Sequence, residues 1–129
     1  MATVIRVEPY SPDENVYVKT PEGELSTGFG PSVVANDEVI LIALTPFSAV
    51  DVVLSGRPPD VEGAERLWSG FLRTRGTLLL SDGLDRPFAT WKSQSRSYVE
   101  VWCREGDDGI DGAWVVSPDL SVFDEPERP

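Results

Sequence analysis

A chain of 129 residues, 40% hydrophobic and 26% charged, is long enough for one packed domain and too apolar to stay disordered. It has no histidine, a single cysteine and a formal net charge of −11. The missing histidines exclude Ser-His-Asp and Cys-His nucleophiles and ordinary zinc sites, and a pI near 4.3 opposes direct binding to nucleic acid.

Taken in chain order, the apolar pattern reads as strands. Thr3 to Glu8 alternates around Ile5, and Asn15 to Lys19 puts Val16 and Val18 on one face. Pro21-Glu22-Gly23-Glu24 is a turn signal, and Thr27 to Pro31 reads as a loop. Glu38 to Leu44 is a near-continuous apolar run, suited to a central strand covered on both faces. Ala49 to Leu54 aligns Val50, Val52 and Leu54, and Gly56 to Gly63, with Pro58-Pro59, reads as a loop.

Glu65 to Arg73 puts Leu67 and Phe71 on one face and Trp68 and Leu72 on the other. A short helix fits Ala64 to Leu72 by spacing, but its aromatic residues favour a pleated surface. Thr77 to Leu80 follows Gly76, and Ser81-Asp82-Gly83 makes a turn. Phe88 to Trp91 is a short strand. Ser97 to Cys103 sets Tyr98, Glu100 and Trp102 against Val99, Val101 and Cys103. Gly106 to Gly112 reads as an acidic loop, and Ala113 to Val116 closes the pattern.

About nine short strands at this spacing predict an all-β fold, an antiparallel two-sheet β-sandwich over residues 1–117, with 118–129 as an acidic tail. The expected core is Ile5, Val16, Val18, Val39, Leu41, Val52, Leu54, Phe71, Leu78, Val99, Val101 and Val115. With one cysteine no intrachain disulfide can form, and no stretch has the length of a membrane span or the apolar core of a signal peptide. The expectation is a cytoplasmic protein.

The charge is segregated. Residues 1–64 carry 10 acids and 3 bases, residues 65–104 carry 4 and 7, and residues 105–129 carry 8 and 1. Arg66, Arg73, Arg75, Arg86, Lys92, Arg96 and Arg104 form the basic middle, and pairing with acids elsewhere in the chain accounts for it. Strong net negative charge suits docking onto a basic protein.

Chemistry-bearing motifs are sparse. No phosphate-binding loop is present, and Gly28-Phe29-Gly30 is too short for a dinucleotide fingerprint. Cys103, beside Val101 in an alternating strand, reads as a buried small hydrophobe. Asp107, Asp108 and Asp111 among glycines could gather oxygen ligands around Ca²⁺, but they lack the EF-hand spacing and its closing glutamate. A solvated hairpin loop is the simpler reading. No metal and no cofactor is expected.

Trp68, Trp91, Trp102 and Trp114 each fall in a predicted strand, where core packing is the default. Trp102 is the best outward anchor, since it shares a face with Tyr98 and Glu100 opposite an apolar face. The expected protein-binding residues are therefore Glu100, Trp102, Asp107, Asp108 and Asp111.

The succession of Ala49–Leu54, Glu65–Leu72, Gly76-Thr77-Leu78-Leu79-Leu80 and Tyr98-Val99-Glu100-Val101-Trp102-Cys103 resembles the competence-protein-J type of nuclease inhibitor. In both, a short strand after a glycine precedes a tyrosine-led strand ending in aromatic and cysteine residues. The likeness covers residues 49–103, and the Pro58-Pro59 loop departs from it. It implies a small acidic cytoplasmic β-sandwich that binds and silences a partner nuclease, and it transfers no functional residue.

The expected function is an acidic binding protein, not an enzyme, that neutralises a basic nuclease or toxin by occluding its positive groove. The alternatives are a ligand-binding sandwich for carbohydrate or Ca²⁺ and a structural or assembly subunit.

Overall fold

Alternating β-branched and polar residues build the strands of this protein. Its computed structural model describes residues 3–7, 15–21, 33–44, 49–82, 86–106 and 109–120. Among these the strands are β1 (Thr3–Val7), β2 (Val16–Lys19), β3 (Val33–Ala35), β4 (Val39–Ile42) and β5 (Val50–Ser55). They continue as β6 (Ala64–Arg73), β7 (Thr77–Asp82), β8 (Pro87–Lys92), β9 (Arg96–Gly106) and β10 (Gly109–Val116). Sheet A has the order β1-β5-β10-β9-β6 and sheet B the order β3-β4-β2-β7-β8. The fold is an all-β two-sheet sandwich. Its pairs are antiparallel except β5 with β10, which run parallel.

The core lies between the sheets. Sheet A contributes Val50, Val52 and Leu54 from β5, Val99, Val101 and Cys103 from β9, and Ala113 and Val115 from β10. Sheet B contributes Val16 and Val18, Ile40 and Ile42, Leu78 and Leu80, and Trp91. Burying each such aliphatic side chain is worth roughly 1.5–3 kcal/mol.

Two of the crossings between sheets, after β6 and before β9, form neighbouring corners. Gly76, at φ +98°, adopts a conformation in the first corner that a side chain would disfavour. Thr74 Oγ1 donates to the Gln94 carbonyl at 2.7 Å and lies 2.8 Å from Ser93 Oγ, fastening the two corners together. The β7–β8 hairpin thereby folds over the β6–β9 pair.

Four expectations change. Phe71 is 48% exposed, and Trp68 and Leu72 face the core instead. A register shift between Arg66 and Trp68 in β6 accommodates Leu67, and alternation alone cannot say which face turns inward. Val39 and Leu41 are buried, but Ile40 and Ile42 are the β4 residues in the inter-sheet core. The acidic loop is mostly strand, since β9 runs to Gly106 and β10 starts at Gly109. The core also continues past β10. Residues 118–120 make a 3₁₀ turn, Leu120 is fully buried, and Asp119 accepts a 2.7 Å hydrogen bond from Ser97 of β9.

Candidate functional site

Strand parity gathers the chemistry on the outer face of sheet A. Tyr98, Glu100 and Trp102 alternate along β9 and so share that face, opposite Val99, Val101 and Cys103. Glu100 sits between the two aromatics. Tyr98 donates its O–H to Glu100 Oε2 at 2.7 Å, and Trp102 donates its Nε1–H to Oε1 at 2.8 Å. Arg66 of β6 approaches Oε2 at 3.5 Å.

The Glu100 side chain is only 13% exposed. The Trp102 and Tyr98 hydrogen bonds hold its carboxyl below the usual carboxylate range, with Arg66 adding to them and partial burial opposing. The same bond to Glu100 raises the Tyr98 phenol, and Ser69 and Arg66 oppose it. A charge-assisted hydrogen bond to each oxygen fixes both rings in place.

The pairing of strands extends this cluster sideways. Trp102 lies opposite Trp114 of β10 and Arg66 of β6, and Trp114 lies opposite Val53 of β5, itself opposite Val4 of β1. One lateral row, Val4–Val53–Trp114–Trp102–Arg66, thus crosses the sheet. Val4 is 57% exposed. Gly112 leaves room for the Trp114 ring, since a Cβ there would meet its Cη2 at 3.4 Å. Towards the other end, Phe71 lies opposite Tyr98, with ring centroids 5.4 Å apart and tilted by 59°. The Arg96 guanidinium stands 4.4 Å from the Phe71 centroid.

Of the expected site residues, Glu100 and Trp102 are adjacent on this face. Asp111 lies on β10 and accepts a 2.9 Å ion-paired hydrogen bond from Arg104. Asp107 and Asp108 lie outside the described residues. Sequence reasoning placed Tyr98 on this face without assigning it to the site, and missed Phe71 and Trp114 as neighbours. Trp114 comes opposite Trp102 only through the register shift between Ile110 and Gly112, which the spacing does not show.

Elsewhere, a cleft of about 380 Å³ is lined by Thr20, Glu38, Arg73, Thr74 and Arg75. Arg73 there is ion-paired to Asp37 and Glu38. Among the described residues no three His, Cys, Asp or Glu side chains gather to hold a metal ion. Among the described residues no helix is long and apolar enough to cross a membrane.

Cys103 is 1% exposed, and burial, reinforced by the Glu105 charge, pushes its thiol up to about 12 from its ordinary value of 9.0. The folded thiol therefore keeps its proton in a range where the unfolded one releases it. Its contribution to stability is complete below about pH 9 and declines as pH rises towards about 12. Urea unfolding at stepped alkaline pH is expected to show this decline, and Cys103→Ala is expected to flatten it. Native protein at neutral pH is expected to react with a thiol reagent only as fast as it unfolds.

No protein-family model matches the chain, and no curated protein matches it. Among solved structures the chain is similar to ComJ from Bacillus subtilis, described as an inhibitor of the DNA-degrading activity of NucA. The superposition covers 91% of this chain and 97% of that one, with a TM-score of 0.56 and 9% sequence identity. At that identity the likeness establishes a shared fold: this chain folds as a ComJ-like β-sandwich.

Proposed function

We propose that this protein is a stoichiometric inhibitor of a basic nuclease, acting in the cytoplasm as a binding protein rather than an enzyme. The observation that carries the reading is the fold likeness to a nuclease inhibitor, which spans nearly all of both chains. The charge distribution supports it. The described residues hold 11 acids and 10 bases, a nearly balanced frame. The segments outside them hold the other 11 acids and a single base. That excess attracts a positively charged protein and accelerates encounter. In the bound state its carboxylates occlude the positive groove that receives phosphates. Trp102 and Glu100 belong to the contact in this reading, and Asp111, with Asp107 and Asp108 next to it in the chain, adds negative charge.

The test titrates the chain into a panel of purified DNA-degrading nucleases that includes NucA and several of high isoelectric point. Loss of DNA cleavage with a one-to-one endpoint is expected for at least one member. Neutralising three acids as Asp107→Asn, Asp108→Asn and Asp111→Asn is expected to slow association about tenfold at low salt and to flatten its salt dependence. Unchanged affinity and salt dependence would remove these aspartates from the contact. A panel without any inhibited member would overturn the proposal.

A further inference from the structure

The outer face of sheet A differs electrostatically from the chain as a whole. Among the described residues its strands place Arg6, Arg66, Arg73, Arg96 and Arg104 on that side against Asp51, Glu100 and Asp111; the pairs are Arg6–Asp51, Arg66–Glu100 and Arg104–Asp111, and Arg73 turns to Asp37 and Glu38. Arg96 is left over, stacked on Phe71. A chain of net charge −11 thus presents one face that is locally neutral to positive and rich in Trp, Tyr, Phe and Arg, the types enriched at the centres of protein interfaces.

We infer that this face is the surface the nuclease covers. Phe71, Tyr98, Trp102 and Trp114 form the apolar contact, and Arg96 reaches a carboxylate on the nuclease. The inference rests on the inhibitor reading above and adds to it the surface, its anchors and the chemistry of the facing patch. Long-range attraction and contact chemistry separate here. The acid-rich segments act through a field that extends about a Debye length, roughly 8–10 Å, whereas the contact is decided by the groups that touch.

Charge complementarity then places opposite the four rings a partner patch beside the positive groove that is apolar and carries a carboxylate, because a lysine there would meet Arg96 with like charge. Size agrees. Five strands spaced about 4.8 Å apart and about eight residues long span roughly 650 Å², close to the ~800 Å² each partner contributes to a standard interface.

Glu100 is a positioning residue in this arrangement. Its carboxylate is largely covered and its oxygens are engaged by Tyr98 and Trp102, so it holds the two rings in their binding orientation. Rings fixed before association lose less entropy on binding.

The experiment measures inhibition constants against a panel nuclease that the wild-type chain inhibits, with near-UV circular dichroism and thermal unfolding on each variant. Trp102→Ala is expected to weaken inhibition about 30-fold and Arg96→Ala about fivefold. Arg96 is exposed, so its variant keeps the test valid even if Trp102→Ala fails to fold. Glu100→Ala is expected to weaken inhibition about tenfold and to change the aromatic dichroism. Glu100→Gln, which retains one acceptor oxygen, is expected to restore part of both. Thr90→Ala, exposed on β8 of sheet B, is expected to leave inhibition unchanged.

Folded Trp102→Ala and Arg96→Ala variants that inhibit like wild type would overturn the assignment of this face and leave the inhibitor reading standing. A wild-type chain that inhibits no nuclease would overturn both.

Discussion

Trp91→Ala is expected to lower stability by about 4 kcal/mol in urea unfolding, whereas Trp91→Phe is expected to cost only about 1 kcal/mol. Trp91 on β8 is 5% exposed, faces the inter-sheet core and lies opposite Leu78 of β7. Truncating it to alanine removes the transfer energy of an indole and opens a cavity between two sheets that strand pairing prevents from collapsing. The phenylalanine variant behaves differently because of the indole nitrogen. Trp91 Nε1 is buried without an acceptor among the described residues, so the folded state already bears the desolvation of that N–H. Phenylalanine removes the unpaired donor while filling most of the space. If the two variants lost equal stability, the donor would have to be satisfied in solution.

Leu120→Ala is expected to cost about 3 kcal/mol and Asp119→Ala about 1.5 kcal/mol. Both residues follow the last strand, yet Leu120 is fully buried in the core. Asp119 Oδ2 accepts from Ser97 Oγ at 2.7 Å and from the Gln94 amide at 3.3 Å, so it clasps the start of β9. Its removal leaves Ser97, 1% exposed, with only a 3.3 Å contact to Ser117 Oγ. Chemical denaturation of the two single variants and the double variant would also measure their coupling, since the residues are adjacent and share one packed turn. Stability unchanged in both single variants would mean that the 118–120 turn lies outside the cooperative unit.

These two sites differ in how well they could be read from the chain. Trp91 sits in a short aromatic strand, where core packing is the default for a tryptophan, although the expected core did not name it. Leu120 follows Pro118 in an acid-rich ending, where composition suggests a tail. Only the tertiary fold brings Ser97 and Ser55 near this segment, as shown by the 3.1 Å hydrogen bond from the Ser117 amide to the Ser55 carbonyl. Residues 3–7, 50–55 and 97–103 read correctly because strict alternation has a single interpretation when one face is apolar. Residues 65–73 were ambiguous because both faces carry large apolar side chains, and a one-residue shift at Leu67 then decided that Trp68 and Leu72 turn inward.

The candidate site divides along the same line. Strand alternation by itself determined that Tyr98, Glu100 and Trp102 share one face and that Val99, Val101 and Cys103 share the other, because a period of two is a property of the extended backbone. Composition determined that the chain is acidic and lacks histidine chemistry. Only the tertiary structure decided that Trp114 and Arg66 flank Trp102, that Phe71 is exposed beside Tyr98, and that the outer face of sheet A carries paired charges rather than the acidic excess. Arg66 and Phe71 come from a strand distant in the chain, Trp114 comes from the next strand, and in both pairings the register depends on a bulge. No local pattern encodes such pairings, since they are selected by the packing of two whole sheets against each other.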